Sequence, residues 1–372
     1  MLKKFRVSNF KCFEKDFLLD LSETNGYTFN ADCIKNGIVN CALIYGHNGM
    51  GKSNLGLAIF DIIEHLTDKK RNESKYQNYL NAYSKAPTAD FFYEFLINGK
   101  TIRYEYKKTD YKTLTYERFS IDDTEFILFD RTNGNNLFTV RFKGTETLNK
   151  TINDSQLSAL KYVKNNTVLE DNEYSRTFID FFSFIESMLY FRSLEDRTYM
   201  GLDVGNRREL TEDIIENGSI CDFEKFLNDA NVKCKLSIVE GIDKKFIAFD
   251  FNGKKIPMYD ILSTGTSALT LFYFWFQRIK EAKVSFLFID EFDAFYHHDL
   301  SAMVVERLKE TGVQFILTTH NTSIISNDLL RPDCYFLMNK KKIQSLSKST
   351  EKELREAHNI EKMYKAGAFN VD

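Results

Sequence analysis

The chain has 372 residues, enough for one large domain or two packed lobes, and 43% of them are hydrophobic against 28% charged, the balance of a soluble globular fold. Fifty basic against 53 acidic residues leave a formal charge of −3, which excludes a global pull toward nucleic acid or acidic membranes and leaves room only for a local basic groove. The longest apolar run, 268–276, falls far short of the roughly 20 residues that span a bilayer, and the opening MLKKFRVSNFK lacks an apolar signal core, so a cytoplasmic protein with no membrane contact is expected.

Residues 2–21 read as two strands, and 22–36 as a polar loop. A β-branched apolar run over 38–45 predicts a buried parallel strand, and 54–66 has helical spacing, with Leu55, Ile59, Ile62, Ile63 and Leu66 on or near one face. Between them stands GHNGMGKS, which fits the phosphate-binding pattern G-x-x-x-x-G-K-[ST]. Gly46 and Gly51 can take backbone angles closed to other residues, which lets successive N–H groups turn inward around an anion at a helix N-terminus. Gly46, Asn48, Gly49, Gly51, Lys52, Ser53 and Asn54 are the candidate phosphate-binding residues, with Lys52 reaching the outer phosphates and the Ser53 hydroxyl placed for Mg²⁺.

A long insertion follows. Residues 69–86 are charged and tyrosine-rich, read as helix then loop. The runs 91–97 and 101–106 flank Asn98-Gly99, a strong hairpin signal. Further strands are expected at 113–121, 125–130 and 137–142, and helices at 155–163, 174–191, 207–217 and 222–230. The second of those helices carries Phe178, Phe181, Phe182, Ile185, Met188 and Leu189, a stripe read as core. A strand pair is expected within 233–251. No heptad repeat is sustained, so the insertion reads as a compact lobe and not a coiled-coil arm. Beyond 263 the chain alternates: helix 266–281, strand 284–289, helix 299–309, strands 313–317 and 334–337. Alternation after a phosphate loop predicts an α/β fold with a mainly parallel core sheet, an antiparallel β lobe and an inserted helical lobe. The core would comprise 1–67 and 255–372, and the inserted lobe 68–254. The six cysteines form no C-x-x-C pair and no zinc spacing, so free thiols are expected.

Three more pieces carry chemistry. LSTGT (262–266) opens a predicted helix, where Ser263, Thr264 and Gly265 offer a hydroxyl and backbone N–H groups to an anion; an ordinary helix cap is the competing reading. FLFIDE (286–291) is an apolar strand ending in two carboxylates: Asp290 can join Ser53 as a Mg²⁺ ligand, and Glu291 can orient or deprotonate a water attacking the terminal phosphate. TTH (318–320) puts His320 after another apolar strand, where it can hydrogen-bond that phosphate or the water. His297-His298 has no accompanying His or Cys pair for a metal and is read as a loop facing a second subunit.

In this order GHNGMGKS, LSTGT, FLFIDE and TTH resemble the ATP-binding-cassette (ABC) ATPases. The chain looks closer to the SMC-like and OLD-family, phage-defence-associated branch. The likeness rests on FRVSNFKCF, FFYEFLINGKTIRYEY, IDEFDAFYHHDL running to TTHNTSII, LLRPDCYFLM and NIEKMYKAGAF, and is strongest at 38–66 and 262–338. It implies an ABC-ATPase head that binds and hydrolyses ATP with Mg²⁺. It also implies that Ser263 and Gly265 complete the ATP site of a neighbouring copy, in a homodimer or higher homo-oligomer. No glutamine stands at a convincing Q-loop position, and the short LSTGT signature argues against a transporter subunit. About 50 residues follow His320, too few for the TOPRIM nuclease of OLD proteins proper, so a stand-alone ATPase controlling a separate effector, a nuclease or toxin, is expected. A phage protein or DNA would be the trigger. The alternative is an SMC-like DNA-repair ATPase that clamps DNA, for which the basic clusters at 69–71, 207–208 and 340–342 are the candidates.

Overall fold

Two seven-stranded sheets face each other across one buried helix. The computed structural model describes all residues except 70–72, 133–135, 193–198, 202–209, 242–243, 282 and 371–372. The first sheet is antiparallel throughout, in the order Leu137–Val140, Thr124–Asp130, Leu114–Ile121, Lys100–Lys108, Ala89–Ile97, Leu2–Ser8, Phe17–Asp20. The second runs Tyr199–Gly201, Met188–Arg192, Phe286–Asp290, Gln314–Thr319, Cys41–Tyr45, Tyr335–Met338, Ile343–Ser345; its inner five strands are parallel and its two edge strands antiparallel. A small antiparallel sheet, Leu236–Glu240, Lys245–Phe251 and Lys254–Pro257, stands apart. The architecture is α/β with a mainly parallel core sheet, as the sequence implies.

The local sequence explains these choices. Cys41–Tyr45 and Phe286–Asp290 are buried at every position, the mark of strands covered on both faces. The hairpin turn has Asn98 at φ 52° and Gly99 at φ 77°, the two left-handed residues that a type I′ turn requires. Gln314 ties the sheets together: its Oε1 accepts from Leu2 N–H at 2.7 Å, and its Nε2 donates to Leu2 O at 2.7 Å and Val39 O at 3.0 Å.

The helix Lys52–Leu66 is buried at every residue except Ser53 and Asn54. Toward the parallel sheet, Gly56 permits the approach, since a Cβ there would lie 2.6 Å from Tyr190 and 2.8 Å from Phe288. Toward the antiparallel sheet, Tyr93 Oη donates to Ala58 O at 2.9 Å, and Asp61 accepts from Lys108 Nζ at 2.6 Å, Tyr106 Oη at 2.9 Å and Tyr79 Oη at 3.0 Å. One turn on, His65 Nε2 lies 2.8 Å from Tyr104 Oη. Tyr104 donates to Glu117 at 2.7 Å; the Ser158 hydroxyl and Ala159 N–H each reach Glu117 at 2.6 Å. Burial still pushes the Glu117 carboxyl above its usual range.

Two expectations are corrected. The helix expected over 174–191 stops at Glu186, and Met188–Arg192 is a strand of the parallel sheet. The run MLYFR is apolar at four consecutive positions, which suits a strand covered on both faces better than one side of a helix. The strands also cut across the division into 1–67, 68–254 and 255–372: Leu2–Ser8 and Phe17–Asp20 complete the antiparallel sheet, while Met188–Arg192 enters the parallel one. Hydrogen bonding to the nearest complementary edge, not chain proximity, decided both. Elsewhere the differences are shifts of a few residues, a third strand, Lys254–Pro257, in the small sheet, and the edge strands Tyr199–Gly201 and Ile343–Ser345. The strand expected over 38–45 is broken: Ile38–Val39 pairs antiparallel with Ile34–Lys35, inside the expected loop, and only Cys41–Tyr45 joins the parallel sheet. Residues 69–86 contain the short 3-10 helix Glu73–Tyr76. The helix expected over 207–217 is Leu210–Glu216, its first residues lying outside the described ones. All six cysteines are free thiols. Among the described residues, no helix is long and apolar enough to cross a membrane.

The Asp61–Lys108 pair has no exposed side-chain surface, so removing one partner strands the other charge. Lys108→Met should therefore cost about 3–5 kcal/mol in urea unfolding; a loss below about 1 kcal/mol would show that Asp61 is held by the tyrosines alone.

Candidate functional site

The parallel strands deliver their carboxyl ends to one edge of the sheet, where the sequence motifs meet. Cys41–Tyr45 ends at Gly46, whose N–H donates to Thr319 O at 3.4 Å and where a Cβ would come within 2.9 Å of Met338 O. The loop turns on Gly49 (φ 77°) and Gly51 (φ 100°), left-handed positions that favour glycine. Gly51 caps the helix without a side-chain hydrogen bond, so the first N–H groups of Lys52–Leu66 face an anion's place at the positive end of the helix dipole. Lys52 is buried and folds back over the loop, donating to Gly46 O at 2.5 Å and His47 O at 3.3 Å. Burial lowers its pKa, opposed by the charges of Asp290, Glu291 and Asp293. His47, Asn48 and Gly49 are exposed and Ser53 half-buried. Asn54 directs its amide to Cys12 Sγ at 3.1 Å.

Asp290 is fully buried at the end of Phe286–Asp290. Its Oδ1 accepts from the Thr318 hydroxyl at 2.7 Å, while Oδ2 accepts no hydrogen bond among the described residues. Thr318 in turn accepts from Glu291 N–H at 2.8 Å, so one hydroxyl fixes both acidic residues. Glu291 sits at φ 49°, a left-handed conformation that costs a non-glycine residue about 1–3 kcal/mol. Its side chain meets Arg192, whose Nη2 donates to Glu291 Oε2 at 2.7 Å and whose Nε stands 3.6 Å from Asp290 Oδ2. Next along the strand from Thr318, the Thr319 hydroxyl donates to Asp293 Oδ2 at 2.8 Å, and His320 follows, exposed. Burial pushes the Asp293 carboxyl up.

These residues fit a phosphate chain with a divalent cation. No side chain fits at 46 or 51, where a Cβ would come within 2.9 Å of Met338 O and 2.7 Å of Cys12 Sγ, so the loop can take this path only with glycine. A buried carboxylate oxygen with no hydrogen bond among the described residues is the donor a hard cation takes. Among the described residues, no group of three or more His, Cys, Asp or Glu side chains could hold a metal alone. Mg²⁺ commonly uses only one or two carboxylates plus phosphate oxygens.

LSTGT stands elsewhere. Ser263 is the exposed N-cap of the helix Thr264–Lys280, accepting from Thr266 N–H at 3.2 Å. Thr264 is exposed, and a Cβ on Gly265 would lie 3.2 Å from Phe295 O. Among the described residues, no hydrogen bond or ion pair joins 263–265 to 46–54. The surroundings of LSTGT are apolar yet open, with Phe251, Tyr259, Ile261 and Phe295 all exposed. His297 and His298 do not form a loop: they are the N-cap and first residue of the helix His298–Thr311. Of the basic clusters, 70–71 and 207–208 lie outside the described residues, and Lys340 and Lys341 are exposed in the turn before Ile343–Ser345.

Sequence reasoning missed Arg192, Asp293 and the role of Thr318. The signal for Arg192 was present, since MLYFR is an apolar run ending in a charged residue, as FLFID is. Reading it as helix hid it.

A protein-family profile described as "AAA domain, putative AbiEii toxin, Type IV TA system" matches residues 41–326. No curated protein matches the chain. Among solved structures, the chain is similar to the SMC head domain from Thermotoga maritima, at 19% identity over 92% of this chain and 98% of that one, TM-score 0.44. It is similar also to an Smc head bound to the C-winged helix domain of ScpA, at 17% over 93% and 97%, TM-score 0.47. A third is the Smc head domain with an extended coiled coil bound to the C-terminal domain of ScpA derived from Pyrococcus furiosus, at 14% over 93% and 96%, TM-score 0.47.

Because the fold holds Asp293 above its ordinary pKa, the folded state binds its proton more tightly than the unfolded chain. Its contribution to stability is therefore lost as pH rises from the unfolded value of 3.8 through the raised folded one. Asp293→Asn should gain stability relative to wild type as pH rises through that window, read as urea midpoints from pH 4 to 7. A difference independent of pH would contradict the assignment.

Proposed function

The chain belongs to the family described as "AAA domain, putative AbiEii toxin, Type IV TA system", and from that membership we propose a Mg²⁺-dependent ATP-binding and ATP-hydrolysing switch whose ATP is sandwiched between two copies of the chain. One observation carries the reading: the parallel pairing of the core strands brings the glycine loop and Lys52 to the same carboxyl-end edge as Asp290 and Glu291, with Gly46 N–H bonded to Thr319 O. The N–H groups of 46–54 would bind phosphate oxygens, and Lys52 would leave the Gly46 and His47 carbonyls to supply charge to the outer phosphates. Ser53 Oγ and Asp290 Oδ2 would hold Mg²⁺, which supplies charge neutralisation. Glu291 would take the proton of the water that attacks the terminal phosphorus as the bond to the leaving diphosphate breaks, and His320 would hydrogen-bond the departing phosphate.

Ser263, Thr264 and Gly265 of a second copy would close the site. This is supported by the exposure of Ser263 and Thr264 beside exposed Phe251, Tyr259, Ile261 and Phe295, an apolar surface of the kind that a partner covers. The switch would act in the cytoplasm within an anti-phage defence system, governing a separate nuclease or toxin and triggered by a phage protein or DNA. The family's toxin–antitoxin description and the likeness to OLD-family ATPases support that setting. DNA clamping is the second reading, favoured among the described residues by the exposed Lys340–Lys341 turn; retention on duplex DNA at physiological salt, abolished by Lys340→Glu, would support it.

Lys52→Ala should abolish Mg²⁺-dependent ATP hydrolysis, and unchanged nucleotide affinity and turnover would sink the phosphate-loop assignment. Glu291→Gln should bind ATP yet turn it over about 10²-fold more slowly; wild-type turnover would place the base elsewhere. Mixing inactive Lys52→Ala with inactive Ser263→Arg should restore part of the activity, because each mixed dimer keeps one whole site. Full activity of Ser263→Arg alone would reduce LSTGT to a helix cap.

A further inference from the structure

We propose that Arg192 distinguishes a nucleoside triphosphate from a diphosphate: its guanidinium, paired with Glu291, transfers to the terminal phosphate when a triphosphate is seated, and so frees Glu291 to accept the proton of the attacking water. This rests on the reading of the cleft as an ATPase site.

The position follows from strand pairing. Met188–Arg192 lies parallel to Phe286–Asp290 with Arg192 directly opposite Asp290, so the guanidinium rises at the same carboxyl-end edge as the acidic pair. Glu291 is bonded to Arg192 at 2.7 Å, and its charge is also felt by Lys52. The acidic residues therefore lie between two cations, one from the phosphate loop and one from the strand beyond. A guanidinium has only donors and remains charged, so Arg192 cannot ligate a metal, and its strongest partners are anions. The cleft offers two kinds, carboxylates and the phosphate chain that Lys52 would hold.

The pairing is also exchangeable. The side chains of Arg192 and Glu291 are 34% and 28% exposed, so their ion pair is screened by water and weak. A terminal phosphate offers the guanidinium fork two oxygens, as a carboxylate does, and carries more negative charge. While Arg192 occupies Glu291 Oε2, that oxygen is a poor proton acceptor. Transfer of the guanidinium would thus couple recognition of the terminal phosphate to release of the base. A diphosphate has no group to draw Arg192 away.

The test is equilibrium binding of two fluorescent nucleotides with Mg²⁺, a non-hydrolysable β,γ-imido triphosphate and ADP, to wild type, Arg192→Ala and Arg192→Lys. Wild type should prefer the triphosphate. Arg192→Ala should lose about tenfold in triphosphate affinity, the worth of one charged hydrogen bond, while binding ADP as wild type does, which also certifies its fold. Arg192→Lys should fall between. Unchanged triphosphate affinity in Arg192→Ala, with hydrolysis alone reduced, would overturn the proposal and leave Arg192 as a static prop for Glu291. Equal losses for both nucleotides would overturn it too. If wild type bound neither nucleotide, the ATPase reading itself would fall, and this proposal with it.

Discussion

The structure depends on the confinement of the helix Lys52–Leu66 between two sheets. A helix buried on nearly every face, with Asp61 and His65 among its buried residues, must be covered all round and have its polar groups paired, and here each cover is specific. Gly56 lets Tyr190 and Phe288 of the parallel sheet close on one face. On the other, Asp61 collects an ammonium and two phenols from the antiparallel side. The helix N-terminus, and with it the glycine loop and Lys52, is thus fixed by packing that runs its whole length. The buried charges make this an unforgiving arrangement, because each is tolerable only while its partners remain.

What was legible in the sequence was local. The glycine loop, the Asn98-Gly99 turn and the apolar strand ending in Asp290-Glu291 each carry their signal within a few residues. What was not legible depended on pairing between distant segments. Leu2–Ser8 looks like any half-buried strand, and nothing within it says that it will join Ala89–Ile97 and be bolted by Gln314 to the other sheet. Met188–Arg192 follows a genuine aromatic helix so closely that its apolar residues continue the helical period. Only its pairing with Phe286–Asp290 makes it a strand and brings Arg192 to Glu291. The absent glutamine was visible in the sequence, and the arginine beside the acidic pair was not.

The site is a set of charges held close by hydroxyls. Thr318 accepts from Glu291 N–H and donates to the Asp290 carboxylate, and Thr319 donates to Asp293, so one strand end orders two carboxylates and the backbone of the third acidic residue. Lys52 and Arg192 approach that acidic group from opposite sides. Such a cluster suits an occupant bringing both negative phosphate and a divalent cation, since either alone would leave the charges unbalanced. LSTGT, by contrast, shares no hydrogen bond or ion pair with the loop among the described residues, and its Ser263 and Thr264 lie exposed beside apolar side chains.

The central claim, that nucleotide joins two copies across this cleft, is tested most directly by the mass of the Glu291→Gln protein in light scattering with Mg²⁺ and either ATP or ADP. The account predicts about twice the 43.5 kDa chain mass with ATP and a return toward the single-chain mass when ATP is replaced by ADP. The same mass in both nucleotides, in protein shown to bind ATP, would contradict it.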